Sequence, residues 1–265
     1  MSAPTGTAGR TVTGTGRLLR FMLRRERLAL PVWLVVIGAL LGIQSRASQA
    51  LYDPEQLDQL RATLGSNAAF VALAGPRELI ATIGGEILFE IFGYVLIVVA
   101  LMNMFLVGRN SRADEETGRA ELIRSTRVGR RAPLFAALLL ACLSNVAVAV
   151  VLAAVGIGTG LPAWGSVVCG LAAAGAGVFF AALAGVAMQV FDHARAAYGA
   201  VAVVIGATYL LRAAGDVALT PLAWLSPIGW SQRTLPYVEN RLWPLALPVV
   251  TGALLTMAAV ALLDR

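Results

Sequence analysis

The chain has 265 residues, of which 58% are hydrophobic and only 14% are charged, and its mean hydropathy is +0.76. Soluble domains carry about 25% charged residues, so this composition excludes an ordinary soluble domain and a disordered chain. It predicts an all-α polytopic membrane protein.

Several residue types are rare or absent, and this excludes whole classes of site. All 21 basic residues are arginine. A P-loop needs a lysine to reach the nucleotide phosphates, so this chain cannot hold such an ATP site. A single histidine excludes motifs with two zinc-binding histidines. Cys142 and Cys169 lie in apolar stretches and are expected to be small buried residues. We therefore expect no catalytic residue, cofactor or metal in the chain itself.

The N-terminal region is polar and then basic. Residues 1–16 are rich in Thr, Gly, Ala and Ser and predict a disordered cytoplasmic tail. In residues 17–27, arginines recur at steps of three and four, which predicts an amphipathic helix lying on anionic lipid headgroups. A plain basic flank of the first span fits this pattern equally well.

Six apolar segments are long enough, or nearly so, to span a bilayer, for which about 20 residues are needed. They cover approximately residues 28–43, 87–107, 134–157, 167–190, 196–211 and 245–263. The transmembrane domain is thus expected to occupy residues 28–265. It contains a loop at 109–131 between spans two and three, and external segments at 45–86 and 213–244.

The arginines predict the orientation. With six spans, fifteen arginines fall on the side that carries both termini and the 109–131 loop, and six fall on the other side. By the positive-inside rule, both termini are cytoplasmic and the protein lies in the cell membrane. The net charge of +6 is then a consequence of topology and does not indicate a nucleic-acid partner.

The segment 213–244 is rich in tryptophan and proline. Aromatic residues of this kind favour the depth of the lipid headgroups, and irregular backbone there has to be covered by protein. We therefore expect short re-entrant or interfacial helices before the last span.

The 109–131 loop contains three acids, Asp114, Glu115 and Glu116, followed by arginines at 119 and 124. This order suits the dipole of a helix. Such a helix could dock on a soluble partner, although charge alone favours a solvated loop.

Four stretches together resemble the ABC-2 type permeases, most closely the bacterial permeases that export polyketide-type antibiotics and other drugs. These stretches are RADEETGRAELIR at 112–124, VGRRAPL at 128–134, LRAAGD at 211–216 and WLSPIGW at 224–230. Their order and spacing carry the resemblance, which covers nearly the whole chain after the tail.

The resemblance implies a permease subunit that moves hydrophobic drugs, antibiotics or lipid-like molecules outward by alternating access. A coupling helix would sit in a cleft of a separate ATPase subunit, which would bind the ATP and Mg. That helix would comprise Asp114, Glu115, Glu116, Gly118, Arg119, Glu121 and Leu122. Such permeases usually carry two six-span halves, so this chain is expected to pair with itself, to pair with a paralogous half, or to be part of a longer chain.

Polar groups inside spans are candidates for a translocation path, because burying them in lipid is costly. Glu86 and Glu90 share one face of the second span. They could attract a cationic substrate or pair with Arg77 or Arg212, and we favour pairing. We expect Asn103, like Asn145 and Gln189, to donate hydrogen bonds between helices rather than to bind a drug.

Two other functions remain open from the residues. A secondary transporter would need an inverted repeat and more ionisable groups at mid-membrane depth than are present. A non-transporting membrane anchor or regulator would need neither. Co-purification with an ATPase would favour the exporter over both.

Overall fold

The computed structural model describes residues 13–52, 54–111 and 129–264. Within these ranges the regular elements are helices, joined by turns, with no strand. The α-helices are α1 (Thr15–Arg25), α2 (Ala29–Leu51), α3 (Leu57–Thr63), α4 (Ala68–Leu73), α5 (Ile83–Arg109), α6 (Ala132–Gly158), α7 (Ala163–Val190), α8 (Ala194–Ala218), α9 (Pro227–Gln232) and α10 (Ala246–Leu263).

Six of these helices are long and apolar enough to cross a membrane: α2, α5, α6, α7, α8 and the helical stretch Trp243–Leu263 that contains α10. The predicted all-α class with six spans is confirmed. The short helices expected before the last span are a 3-10 helix at Pro221–Leu225 and α9, which begins with Ser226 accepting a hydrogen bond from the Gly229 amide.

The first and fifth spans are longer than their apolar runs. Helix α2 continues from the predicted end at residue 43 to Leu51, and α8 continues from residue 211 to Ala218. No proline or glycine interrupts 44–51, so the helix persists until the extended Tyr52, two residues before Pro54. The first residues of both predicted external segments are therefore helical.

Helices α5 and α7 form the centre of the bundle. In each, 67% of the most apolar stretch is buried inside the protein, against 22% in α2 and 17% in the last span. Helix α7 packs on α5, α6 and α10, while α2 packs on α5 and α6. The peripheral helices expose apolar side chains such as Val35 and Met257, as expected of surfaces that face lipid.

The spans alternate in direction, so the bundle has two ends. We call one the arginine-rich end, where α5 ends at Arg109, α6 begins and α10 ends. Helix α1 packs against α6. At the opposite end, α2 ends and α5 begins behind Thr82, whose hydroxyl accepts a hydrogen bond from the Gly85 amide at 3.0 Å.

Candidate functional site

The residues that the resemblance assigns to a coupling helix lie outside the described ranges. They are Asp114, Glu115, Glu116, Gly118, Arg119, Glu121 and Leu122. The structure does describe the residues on either side of this segment, up to Ser111 and from Gly129 onward, and shows what holds them.

A buried glutamate holds the first flank. Glu26, directly after α1, is only 1% exposed. Its carboxylate accepts a hydrogen bond from Nη2 of Arg109 at 2.7 Å and one from Nδ2 of Asn110 at 3.0 Å. On the second flank, the Gly129 amide donates to the Thr13 carbonyl at 3.0 Å. Both flanks of the segment are therefore bonded to the region around α1.

Sequence reasoning did not single out Glu26. The available signal was that it is the only acidic residue among the first 50, inside an otherwise basic stretch. An isolated acid in a polybasic helix region indicates a specific partner rather than a solvated surface.

Replacing Glu26 with glutamine is expected to lower the free energy of unfolding by about 1 to 3 kcal/mol, because two hydrogen bonds to a buried carboxylate are weakened. Amide hydrogen exchange should accelerate in α1 and around residues 106–111 while the interiors of α5 and α7 stay protected. The matched control is Glu239→Gln, which affects an exposed pair with Arg241. Unchanged exchange in α1 would show that Glu26 does not hold this flank.

A second tie at the arginine-rich end joins the last span to α6. Arg131, just before α6, forms an ion pair with Asp264, just after α10. The hydrogen bond from Arg131 lowers the pKa of the Asp264 carboxyl. The pair is partly exposed and so contributes little to stability, but it places the end of the last span beside the second flank of the 112–128 segment.

Asn103 lies in the centre of the bundle and bonds across to α6. Its Nδ2 donates to Oδ1 of Asn145 at 3.0 Å, and Nδ2 of Asn145 donates back to Oδ1 of Asn103 at 2.9 Å. Gly177 of α7 closes over this pair, since a Cβ at position 177 would lie 2.0 Å from Oδ1 of Asn145. The reciprocal amide pair thus links α5 and α6. Helix α7 can pack against this pair only because residue 177 is a glycine.

Glu86 and Glu90 lie one turn apart on α5 and face α2. The Gln44 amide nitrogen hydrogen-bonds to the Glu90 carboxylate and, at 3.2 Å, to the Ser48 hydroxyl. Glu86 is fully buried beside Ser48 and Glu90, and neither of its oxygens has a hydrogen bond of ordinary geometry. Within the described ranges, no arginine forms an ion pair with either glutamate.

Arg212 has other partners. It is fully buried, and its Nη1 lies 3.6 Å from Oδ2 of Asp216. Its guanidinium also donates to the carbonyls of Val71 at 3.3 Å and Ala72 at 3.0 Å, at the C-terminal end of α4. Asp216 pairs in addition with Arg233. The Arg212–Asp216 pair lies within α8, with the i, i+4 spacing of helical partners. The hydrogen bonds of Arg212 to the two carbonyls tie α8 to α4.

At the opposite end, Tyr237 fills a slot made of glycines. A Cβ at Gly84 of α5, Gly156 of α6 or Gly165 of α7 would lie 2.2 to 2.7 Å from its side chain. The Tyr237 hydroxyl donates to Oγ of Ser166 at 3.1 Å, and burial raises the pKa of that hydroxyl. Sequence reasoning assigned Tyr237 only an interfacial position, although glycines near the ends of three spans were a signal for close packing.

A cavity of about 400 Å³ opens beside this slot. It is lined by Gln49, Tyr52, Thr82, Ile83, Gly84, Gly160, Leu161, Pro162 and Tyr237. Burial raises the pKa of the Tyr52 hydroxyl, and the charges of Glu90 and Glu86 raise it further. Among the described residues, no group of three or more His, Cys, Asp and Glu side chains could hold a metal ion.

No family model matches the chain. It is, however, 37% identical over 255 residues to the multidrug efflux system permease protein Rv1217c of Mycobacterium tuberculosis (strain ATCC 25618 / H37Rv). The match covers 95% of this chain and 46% of the relative, so the chain spans about half the length of the permease that it matches. This similarity agrees with the resemblance seen in the sequence: the chain, with six helices long and apolar enough to span a membrane, is similar to about half of a multidrug efflux permease.

Proposed function

We propose that the chain is the permease subunit of an ATP-driven exporter that moves hydrophobic drugs, antibiotics or lipid-like molecules out of the cell. The observation that carries this proposal is the 37% identity to a multidrug efflux permease along 95% of the chain. Because these 265 residues contain no lysine for a P-loop, the proposed source of energy is a separate ATPase subunit, on which ATP and Mg would bind.

The segment 112–128 is the part of the chain proposed to contact that ATPase. Its acids and arginines would dock in a cleft of the partner, on the cytoplasmic side that also carries both termini. The contacts of Glu26, Arg109 and Asn110 support this role, because a segment that receives force needs flanks fixed to the helices that must move. Force on the segment would reach α5 and α6 directly, because α5 precedes the segment in the chain and α6 follows it.

A second permease half completes the proposed transporter. The relative is about twice as long as the match, and a second set of six helices would supply the other wall of the translocation path. That half would be a second copy of this chain, a paralogous partner, or the remainder of a longer chain of which this sequence is part.

Charge reversal tests the coupling segment. We expect Glu116→Arg and Glu121→Arg to leave the spans folded but to reduce drug efflux by about tenfold or more. The reversed charge would repel the groups of the ATPase cleft that the glutamate is proposed to contact. ATP hydrolysis by the complex and drug efflux from vesicles are measured together. Glu55→Arg, an exposed position near α3, is the matched control.

The orientation of this segment is tested separately. Cysteines placed at 116 and 121 should react with a membrane-impermeant maleimide only after the membrane is opened, and should cross-link to the co-purified ATPase. Labelling of intact cells from outside, or normal transport by both charge-reversed variants, would contradict the proposal.

A further inference from the structure

Helix α1 has a buried side and a basic side. The helix packs against α6, with Met22 buried and Leu18 packed against the apolar core. Arg17, Arg20 and Arg24 recur at steps of three and four, so they share the side that is turned away from Met22. All three are exposed. We call these three residues the arginine face.

The arginine face has no carboxylate to neutralise it within the ranges 13–52, 54–111 and 129–264. Glu26, the only acid among the first 50 residues, is buried one turn after Met22 and bonds to Arg109 and Asn110 instead. Like charges one turn apart on a helix repel each other. The face is therefore suited to an anionic partner that these parts of the chain do not supply.

The apolar residues beside the face indicate what that partner is. Phe21 lies one turn from both Arg17 and Arg24, and it is 56% exposed. Leu28, directly before the first span, is 74% exposed. Because α2 begins at residue 29, the end of α1 lies at the membrane surface. Basic and apolar side chains together at this depth are typical of a helix that enters the boundary between headgroups and acyl chains. An anionic phospholipid offers both a phosphate and acyl chains.

The same helix is bonded to both flanks of the 112–128 segment. Directly after α1, the Glu26 carboxylate accepts hydrogen bonds from Arg109 at 2.7 Å and from Asn110 at 3.0 Å. Two residues before α1, the Thr13 carbonyl accepts one from the Gly129 amide at 3.0 Å. A restraint on α1 therefore acts on both ends of the segment.

We propose that the arginine face of α1, with Phe21 beside it, binds anionic phospholipids, and that this contact fastens both flanks of the 112–128 segment. The guanidinium groups hydrogen-bond to the lipid phosphates, while the Phe21 ring lies among the acyl chains. The lipid contact goes beyond the proposed function. Its effect on the segment deepens that function and rests on it, because the part of the chain that would meet the ATPase is held more firmly in an anionic membrane.

Amide hydrogen exchange of the purified full chain in lipid nanodiscs tests this contact. Exchange in discs of phosphatidylcholine is compared with exchange in discs that contain an increasing fraction of phosphatidylglycerol. We expect phosphatidylglycerol to slow exchange in residues 15–25 and in the flanks at 106–111 and 129–132, with no change in the interiors of α5 and α7. An arginine at an anionic surface raises affinity by about fivefold. In Arg20→Gln, the phosphatidylglycerol fraction needed for half of the slowing should therefore rise by about fivefold.

Three further variants locate the contact. The triple variant Arg17→Gln, Arg20→Gln and Arg24→Gln should lose the slowing altogether. Phe21→Ser, which keeps every arginine, should weaken it. The matched control is Arg46→Gln with Arg61→Gln, which removes exposed arginines at the opposite end of the bundle and should leave the response of α1 unchanged.

Two comparisons separate the lipid contact from loss of the fold and from binding of a free anion. In an uncharged detergent the triple variant should unfold at the temperature of the unmodified chain, because the arginine face is exposed. If it is destabilised instead, lysine at the same three positions decides, since this variant keeps the charge and should keep most of the slowing. Glycerophosphate carries the phosphate without acyl chains and should not slow exchange in phosphatidylcholine discs.

Three results would overturn the lipid contact: equal exchange in neutral and anionic discs, full slowing in the triple glutamine variant, or equal slowing by glycerophosphate. Slower exchange in α1 without slower exchange at the flanks would overturn the fastening. None of these measurements needs ATP or the ATPase, so they remain decisive if the exporter assignment fails. Conversely, normal transport by the charge-reversed variants at 116 and 121 would contradict the coupling segment and leave the lipid contact intact.

Discussion

Replacing Arg212 with leucine is expected to lower the free energy of unfolding by about 3 to 5 kcal/mol, the range typical for removing one partner of a buried ion pair. The guanidinium is fully buried and serves three groups at once: the Asp216 carboxylate and the carbonyls of Val71 and Ala72. It also lies 4.4 Å from the centre of the Tyr209 ring. Leucine would leave two helix-end carbonyls without donors and Asp216 with Arg233 as its remaining partner.

The guanidinium geometry, and not only its charge, is expected to matter. Arg212→Lys should therefore recover only part of the loss, because an ammonium is a point charge that cannot spread across the same set of acceptors. The matched control is Arg241→Leu, which breaks an exposed pair with Glu239 and should cost less than about 1 kcal/mol. Denaturant titration in detergent measures all three variants, and equal stability of Arg212→Leu and Arg241→Leu would contradict the assignment.

Gly177→Ala is the second change with a large expected effect. The added Cβ would lie 2.0 Å from Oδ1 of Asn145 and 2.9 Å from Nδ2 of Asn103. Either α7 moves outward or the reciprocal amide pair breaks, and we expect a loss of about 2 to 4 kcal/mol from overpacking and unsatisfied amides. Thermal unfolding and helix-to-helix cross-linking between α6 and α7 measure the result.

Two further variants isolate the cause. Gly185→Ala, two turns along the same helix, meets only the side-chain ends of Leu138 at 3.4 Å and Leu134 at 3.6 Å and should be tolerated. The double variant Gly177→Ala with Asn145→Ala should be more stable than the sum of the two single effects, because the shortened side chain makes room for the new methyl group. Strict additivity of the two changes would mean that the contact does not determine the cost.

The number and order of the spans could be predicted from sequence, because a bilayer imposes a minimum length on each apolar run. The ends of the spans could not. Residues 44–51 are polar enough to be read as a loop, but nothing in them breaks a helix, and α2 continues to Leu51. Hydropathy reports burial in lipid, whereas helix termination depends on capping and on proline.

The partners of polar groups were harder to predict than their positions. Asn103 was expected to donate between helices, and the structure places it against Asn145. Arg212 was considered as a partner of the glutamates of α5, and the structure instead pairs it with Asp216, one turn ahead on α8. Which groups meet across a bundle depends on helix rotation, which a single sequence does not specify. The coupling residues at 114–122 remain a prediction.

The slot around Tyr237 has a consequence for how this end of the bundle can change. One phenol ring touches glycines of α5, α6 and α7, and Tyr237 itself has a φ of 64°, in the left-handed region. A methyl group at any of positions 84, 156 and 165 would expel the ring, so these sites are expected to diverge together with position 237 or not at all. For the same reason the three helices cannot separate at this end without pulling the ring away from at least one of the three glycines.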